Sequence, residues 1–216
     1  MIDLWCEVHA QTYHNAADLA SGHYDIALTD YGRAHAQSVM RVCYADQPFD
    51  VVFTSDTQRA YDTACLMFAD RSIPILQDAR LRECDYGDFE GRPRAEMERM
   101  RLSAICTPFP NGESYAQVAA RMRSFLMQLA AERDGQRVML VGHGATLWTL
   151  EHLLLGKPLA AVIGIFPERP WRFTLEPQQL TAGAEGACHA TSAVSESGHR
   201  VSERLRHDRH GGPDTA

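Results

Sequence analysis

Basic charge, paired cysteines and long apolar runs are all scarce in this sequence, and each shortage excludes a class of protein. The 216 residues include 21 lysines and arginines against 28 aspartates and glutamates, a formal net charge of -7, so no basic field attracts nucleic acid or an anionic membrane surface. No segment approaches the roughly 18 uncharged apolar residues of a membrane span. The six cysteines form no C-x-x-C pair, and the first residues do not resemble a secretory signal. We therefore expect reduced thiols, a cytoplasmic location, and a small substrate or a protein partner.

Size and composition predict one globular domain followed by a tail. Hydrophobic residues make up 45% of the chain and charged residues 23%, which suffices for one sizeable core but not comfortably for two. Beyond Pro177 the composition shifts to Ala, Gly, Ser, His and Arg, and no aromatic residue follows Phe173. Such a segment buries too little apolar area to offset its ordering entropy. We predict a domain over residues 1–177 and a flexible tail over residues 178–216.

Strand-like and helix-like patterns alternate along the domain, which is typical of an α/β fold with a largely parallel sheet. The predicted strands span residues 2–6, 50–54, 73–76, 138–141, 162–166 and 171–175, the last two as a candidate hairpin. The predicted helices span residues 32–42, 55–69, 94–102, 115–133 and 145–155. Thr29 and Ser114 are the expected N-caps of two of them.

Two histidines follow predicted core strands. His9 comes after the first strand, and His143 lies between Gly142 and Gly144 in a tight strand-to-helix turn. The carboxyl ends of parallel strands are where ligand sites form, and a helix N-terminus after a glycine turn favours an anion. Either histidine alone is more often structural than catalytic, so the residues around them decide their interpretation.

Two further side chains suit an anionic substrate. Arg59 lies in the first turn of the helix after the second strand, where its guanidinium can face the same anion, although a surface arginine fits the pattern equally well. Glu83 lies in a loop where a carboxylic acid can protonate a leaving group. Several aromatic residues are candidate pocket walls, although core packing is the commoner role for such residues: Tyr24, Tyr86, Phe89, Tyr115 and Trp148.

Six ordered segments over residues 1–176 resemble the motifs of the histidine phosphatases, also called the phosphoglycerate mutase-like superfamily. They are His9 to Thr12 with Asn15, Leu28 to Ala36, Ser55 to Ala64, Leu81 to Gly91, Pro110 to Ser114, and Val141 to Gly144. The resemblance implies a three-layer α/β/α sandwich with a mostly parallel central sheet.

The resemblance also implies a covalent mechanism on a small phosphorylated metabolite. His9 attacks phosphorus, and Glu83 protonates the leaving oxygen and then activates water. Arg59, His143 and Asn15 hold the phosphoryl oxygens, and neither a metal nor an organic cofactor is implied. The remaining candidates for substrate contact are Thr12, Gly144 and Glu7.

The segment around His9 departs from the family pattern. The family has arginine before this histidine and glycine after it, whereas this chain has Val8 and Ala10, with Glu7 one residue earlier. Val8 cannot hydrogen-bond to phosphate, and losing one preorganised donor typically costs on the order of 10²- to 10³-fold in rate. A carboxylate of Glu7 that faced the pocket would also repel a phosphate dianion.

Three interpretations follow from this departure. In the first, the protein is a slow or narrow phosphatase in which Arg82, or an arginine of the segment 92–101, supplies the missing charge. In the second, the same pocket performs acid-base chemistry on a less anionic substrate, which Glu7 would permit. In the third, the protein is an inactive member that binds a ligand or partner. A hydrolase is favoured over a mutase because the stretch from Glu83 to His143 is short, and whether the chain forms a homodimer stays open.

Overall fold

A five-stranded sheet forms the centre of the molecule in the computed structural model, which describes residues 1–181. The strands are β1 (Ile2–Val8), β2 (Val51–Thr54), β3 (Ile75–Gln77), β4 (Arg137–Gly142) and β5 (Trp171–Leu175). Their order across the sheet is β3-β2-β4-β1-β5. Every neighbouring pair is parallel except β1 and β5, which are antiparallel. The prediction of an α/β fold with a mostly parallel sheet is therefore confirmed.

The five predicted helices form close to their predicted positions, and three short helices were not predicted. The helices are α1 (Tyr13–Ala16), α2 (Asp30–His35), α3 (Arg41–Cys43), α4 (Gln58–Met67), α5 (Arg94–Met100), α6 (Tyr115–Glu132), α7 (Gly144–Leu155), α8 (Leu159–Val162) and α9 (Pro177–Thr181), with a π-helical segment, Ala36–Met40, between α2 and α3. The unpredicted ones are α1, α8 and α9. Thr29 and Ser114 cap α2 and α6 as predicted, since each hydroxyl accepts a backbone N–H of the first turn. Within residues 1–181, no helix combines the length and the apolar composition of a bilayer span.

Alternating side chains of the strands face two separate helical layers. In β1, Leu4 and Cys6 belong to the core that α6 and α7 cover, whereas Trp5 packs on the opposite face, where α4 and the π-helical segment lie. The period of two along a strand produces this division, because successive side chains point to opposite faces. The sheet is thus the middle layer of a three-layer sandwich.

The predicted strand over residues 162–166 is wrong. Val162 ends α8, and the chain then turns at Gly164, whose φ of +86° is incompatible with an extended strand. β5 finds its partner in β1 rather than in a hairpin, and Ile165 and Phe166 are exposed. The apolar run at 162–166 therefore belongs to a helix end and a loop.

The predicted end of the domain at residue 177 falls too early. Residues Pro177–Thr181 form α9, and Leu180 is buried in the core beside α6 and α7. Burial of the Leu180 side chain contributes roughly 1.5–3 kcal/mol to the attachment of this short helix. The rest of the predicted tail, residues 182–216, lies outside the described residues.

Candidate active site

The carboxyl ends of β1, β4 and β2 meet at one edge of the sheet. Val8 pairs with Gly142 and Thr54 pairs with Val141, so the residues that follow these three strands emerge side by side. The site begins here, because ligand sites of parallel sheets form at this edge.

One ring nitrogen of His9 is hydrogen-bonded to the backbone, and the other has no hydrogen-bond partner in the described part of the chain. Its backbone N–H donates to the carbonyl of Gly142 (2.9 Å), and its Nδ1 lies 2.8 Å from the carbonyl oxygen of Ala10. A carbonyl only accepts, so Nδ1 carries the proton and Nε2 keeps its lone pair. Burial, together with the charges of Arg59 and Arg94, lowers the pKa of His9 to about 3. The imidazole is therefore neutral, and its Nε2 is a nucleophile, at ordinary pH.

His143 is buried beside His9, with 5.2 Å between the ring centroids. Its Nε2 lies 2.8 Å from the hydroxyl oxygen of Ser55, and its Nδ1 lies 3.5 Å from an Nη of Arg59. Because a guanidinium only donates, Nδ1 is the acceptor and Nε2 carries the proton. Burial and the nearby charge of Arg59 hold the pKa of His143 well below its usual range. His143 is therefore a neutral hydrogen-bond donor at the start of α7.

Arg59 is fully buried in the first turns of α4. Its two Nη atoms donate to the carbonyls of Gly22 and Tyr24 (2.6 Å each), whereas its Nε has no hydrogen-bond partner among residues 1–181. An unsatisfied buried donor costs about 1–3 kcal/mol. Burial lowers the pKa of Arg59, but this guanidinium stays charged at ordinary pH.

Glu83 is a buried carboxyl directed at the start of α7. It accepts the backbone N–H groups of Cys84 (2.7 Å) and Ala145 (3.3 Å). Burial raises the pKa of Glu83, against the opposing effect of these two hydrogen bonds. The backbone of Glu83 is fixed by Arg121, which donates to its carbonyl (2.8 Å). A preorganised carboxyl with a raised pKa suits a general acid.

A cavity of about 240 Å³ opens over these groups. Four of the predicted catalytic and substrate-binding residues line it: His9, Asn15, Glu83 and Gly144. Arg59 and His143 lie directly behind His9 rather than in the cavity wall. A side chain at Gly144 would crowd the cavity wall, because a Cβ atom there would lie 3.0 Å from the ring of Trp148 and 3.3 Å from that of Phe166.

Asn15 and Thr12 form a reciprocal pair at the start of α1. The hydroxyl of Thr12 accepts the backbone N–H of Asn15 (3.1 Å), and Asn15 Oδ1 accepts the backbone N–H and the hydroxyl of Thr12 (3.0 Å each). This arrangement fixes the amide group of Asn15 so that its NH₂ serves other acceptors. Thr12 is fully buried and does not line the cavity, so the expected direct substrate contact of Thr12 is not what the structure shows.

Glu7 does not face the cavity, which corrects its expected role as a substrate contact. Its side chain is 3% exposed and lies on the sheet face that also carries Trp5. Arg169 forms an ion pair with it (Nη2 to Oε1 2.9 Å), and the hydroxyl of Tyr44 donates to its Oε2 (2.9 Å). The strand period of two turns Glu7 away from the side that Val8 presents to the cavity. The carboxylate is therefore paired and does not oppose a phosphate.

We expect Arg169→Met to destabilise the fold by about 1–3 kcal/mol, because a buried carboxylate would lose its ionic partner. The expected loss of stability is smaller than for a fully buried ion pair, since Arg169 is 56% exposed and Tyr44 still donates to Glu7. Urea unfolding of the variant, of Glu7→Gln and of the double variant measures the coupling. Additive losses would contradict a direct interaction between the two side chains.

Two arginines of the segment 92–101 line the cavity, namely Arg94 and Arg101, whereas Arg82 does not. Arg82 forms an ion pair with Asp56 instead (2.6 Å). The lining residues Arg94, Met97, Glu98 and Arg101 follow the i, i+3, i+4, i+7 spacing of one helix face. That spacing was readable in the sequence, but nothing there indicated that this face borders the cavity. Phe166 was missed for another reason, because its segment was assigned to a strand.

Of the candidate pocket aromatics, Tyr86 and Trp148 line the cavity, and Tyr115 is buried against Trp148.

Among residues 1–181, no group of three or more His, Cys, Asp or Glu side chains is arranged to hold a metal ion. The thiols of Cys6, Cys43, Cys65 and Cys84 are free.

Comparison with known proteins identifies the family of this chain. The sequence profile of the histidine phosphatase superfamily (branch 1) matches residues 8–182. The adenosylcobalamin/alpha-ribazole phosphatase of Escherichia coli K12 is 30% identical over 167 residues, which cover 74% of this chain and 82% of that protein. The glucosyl-3-phosphoglycerate phosphatase of Mycobacterium tuberculosis H37Rv is 32% identical over 167 residues, 70% of this chain and 74% of that protein.

The fold has solved counterparts as well. The structure of Bacillus stearothermophilus YhfR superposes with a TM-score of 0.69 at 28% sequence identity, and the match covers 79% of this chain and 88% of that one. The histidines at the ends of β1 and β4 thus lie in a framework that phosphatases share.

Proposed function

The chain belongs to the histidine phosphatase superfamily, and from that premise we propose that it hydrolyses small phosphate monoesters through a phosphohistidine at His9. The observation that carries the proposal is the ring of His9, with Nδ1 bound to the carbonyl of Ala10 and Nε2 free at the cavity. Relatives named as phosphatases of alpha-ribazole and of glucosyl-3-phosphoglycerate support the reaction class. They do not identify the substrate of this chain.

The proposed reaction has two steps. In the first, Nε2 of His9 attacks phosphorus, the ester P–O bond breaks, and Glu83 gives its proton to the departing oxygen, which leaves as an alcohol. The carbonyl of Ala10 stabilises the positive ring that forms on His9. In the second, Glu83 takes a proton from water, the water oxygen bonds to phosphorus, and the P–Nε2 bond breaks to release inorganic phosphate.

The phosphoryl oxygens have several preformed donors. The NH₂ of Asn15 and the N-terminus of α7 lie at the cavity beside His9. Arg59, whose Nε is unpaired among the described residues, lies behind His9 next to His143, whose ring N–H is given to Ser55. Donors that are already in place stabilise the transition-state charge without reorganisation. The arginine that the family has before the histidine is absent from this arrangement, because Val8 stands there.

We assign that missing charge to Arg94. It lines the cavity from α5, and its charge is among those that lower the pKa of His9. Its ionic partner is Asp18, whose side chain is 67% exposed and held by a 3.2 Å contact, so the guanidinium can turn toward a phosphate at small cost. The first interpretation of the sequence, in which the segment 92–101 supplies an arginine, is therefore the proposed one.

The alternative of acid-base chemistry on a non-phosphate substrate depended on Glu7 facing the pocket. Glu7 is instead paired with Arg169 and Tyr44, so no observation favours that alternative. A measurement of phosphate release distinguishes the proposed phosphatase from the third interpretation, an inactive protein that binds a ligand or partner. An inactive protein would show no turnover that depends on Glu83.

We expect Arg94→Met to lower kcat/KM for an aryl phosphate by about 10²-fold, since one cationic donor to the transferring phosphoryl group is lost. Steady-state hydrolysis of 4-nitrophenyl phosphate measures the change. Arg99→Met is the matched control, because Arg99 is an exposed arginine of the same helix outside the cavity lining.

Val8→Arg in the Arg94→Met background sharpens the test. An arginine restored next to His9 should recover part of the lost rate. Equal losses in Arg94→Met and Arg99→Met would contradict the role given to Arg94.

A further inference from the structure

Arg121 is a guanidinium of α6 that donates hydrogen bonds to the backbone on which Glu83 is carried. Its side chain is 17% exposed and forms a bidentate ion pair with Glu113 (Nε to Oε1 3.1 Å, Nη2 to Oε2 3.0 Å). Its two Nη atoms also donate to the carbonyls of Arg80, Arg82 and Glu83, at 2.7, 2.7 and 2.8 Å. Arg121 does not line the cavity, so it does not contact a substrate there.

The peptide group between Glu83 and Cys84 links Arg121 to the carboxyl of Glu83. The carbonyl oxygen of this peptide accepts from Arg121 (2.8 Å) and from Nε2 of His23 (3.1 Å), and its N–H donates to Oε1 of Glu83 (2.7 Å). A trans peptide is planar, with C=O and N–H on opposite sides, so donors that fix the oxygen also fix the direction of the N–H. The contact from the N–H of Ala145 to Oε2 is longer, at 3.3 Å. The position of the carboxyl therefore depends mainly on this peptide.

We infer that Arg121 is a positioning residue for the general acid, and that it orients the carboxyl of Glu83 through the peptide between Glu83 and Cys84. The inference rests on the proposed function, in which Glu83 protonates the leaving oxygen. Because Oε1 accepts the shorter hydrogen bond, the acid proton belongs on Oε2, and a rotated peptide would remove this distinction. A displacement of about 1 Å in a catalytic geometry can cost about 10²-fold in rate.

The planar fork of a guanidinium explains why an arginine occupies this position. One edge of the fork pairs with Glu113, and the remaining N–H groups reach the backbone carbonyls, which a compact lysine ammonium could not do at the same time. Glu113 also accepts the backbone N–H of Asp85 (3.1 Å), so Arg121 holds the chain on both sides of the peptide. Glu113 belongs to the motif segment Pro110 to Ser114, to which the proposed reaction gives no other role.

The test compares two esters of similar size that differ in their leaving groups. 4-Nitrobenzyl phosphate releases an alcohol that needs the proton of Glu83, whereas 4-nitrophenyl phosphate releases nitrophenolate, which departs readily without a proton. We expect Arg121→Met to lower kcat/KM by about 10²-fold for the benzyl ester and by less than about tenfold for the phenyl ester. Arg121→Lys should lose less with the benzyl ester, because its ammonium can still donate to the carbonyl of Glu83.

Arg123→Met is the matched control on the same helix. Arg123 donates to the carbonyl of Leu180, and neither residue lines the cavity. Its loss should therefore lower stability in urea unfolding and leave the ratio of the two kcat/KM values unchanged. A double variant tests the route of the effect: with the benzyl ester, Arg121→Met should cost little further rate in the Glu83→Gln background, because Arg121 acts through that carboxyl.

The outcomes separate the two proposals. Equal losses for the two esters in Arg121→Met, or additive losses in the double variant, would overturn the positioning role and leave the phosphatase proposal intact. Absence of phosphate release from both esters in the wild-type protein would overturn the phosphatase proposal and this inference with it. If Arg121→Met does not fold, the same comparison in Arg121→Lys decides, since the benzyl ester should again be the more affected.

Discussion

Replacing His9 by alanine is expected to lower the turnover of every phosphate ester by at least about 10⁴-fold, the scale seen when a covalent nucleophile is removed. The reason is local, since His9 lines the cavity with Nδ1 bound to the carbonyl of Ala10, which leaves the lone pair of Nε2 to attack phosphorus in the proposed mechanism. No fold change is expected, because His9 also holds β1 through its backbone N–H, which the substitution keeps.

Two measurements check this prediction. One is steady-state hydrolysis by His9→Ala beside His35→Ala, a control histidine on α2 that stacks on Tyr31 outside the cavity. The other is a rapid quench with an isotopically labelled ester, which should trap an acid-labile, base-stable phosphoryl group on the wild-type protein and none on His9→Ala. Turnover at the same rate in both histidine variants would refute the covalent mechanism.

Replacing Glu83 by glutamine is expected to slow the hydrolysis of alkyl phosphates by about 10²- to 10⁴-fold, the usual contribution of a general acid. The loss should be smaller for 4-nitrophenyl phosphate, because nitrophenolate departs readily without a proton. An equal loss for both leaving groups would assign Glu83 a structural role. Glu96→Gln is the matched control, because Glu96 is a half-exposed carboxyl of α5 outside the cavity lining.

The pH dependence of kcat/KM follows from the same two groups. Glu83 must be protonated, and burial raises its pKa, so the rate should fall as pH rises through that elevated value. His9 must be neutral, and with a pKa of about 3 it remains so throughout the mildly acidic range. The wild-type profile should therefore have a descending alkaline limb that Glu83→Gln lacks when both are measured on one substrate. A limb that persists in the variant would belong to another group.

The sequence alone predicts those features of the structure that depend on local residue pattern and on the order of elements along the chain. The period of two in Leu4 to Cys6 and the alternation of strands with helices predict a layered α/β fold, because each element must bury its apolar face. His9 and His143 were expected at one edge because both follow parallel strands, whereas the shared site with Arg59 and Glu83 was implied by the resemblance of the motif segments to the family. Glycine at 144 is understood only with Trp148 and Phe166 in place, although the turn around His143 already indicated its position.

Only the tertiary structure shows which side chains surround the active site. Glu7 meets Arg169 across 162 positions of the chain, and no local pattern specifies such a contact. The face of α5 that carries Arg94 and Arg101 became part of the cavity because of how the helix lies over the sheet edge. Local periodicity in the sequence therefore determined where the strands before His9 and His143 end, and the family resemblance implied which other groups join them. The tertiary structure determined which charged side chains surround the ends of the strands, because contacts between charged side chains depend on the packing of segments that are distant in the chain.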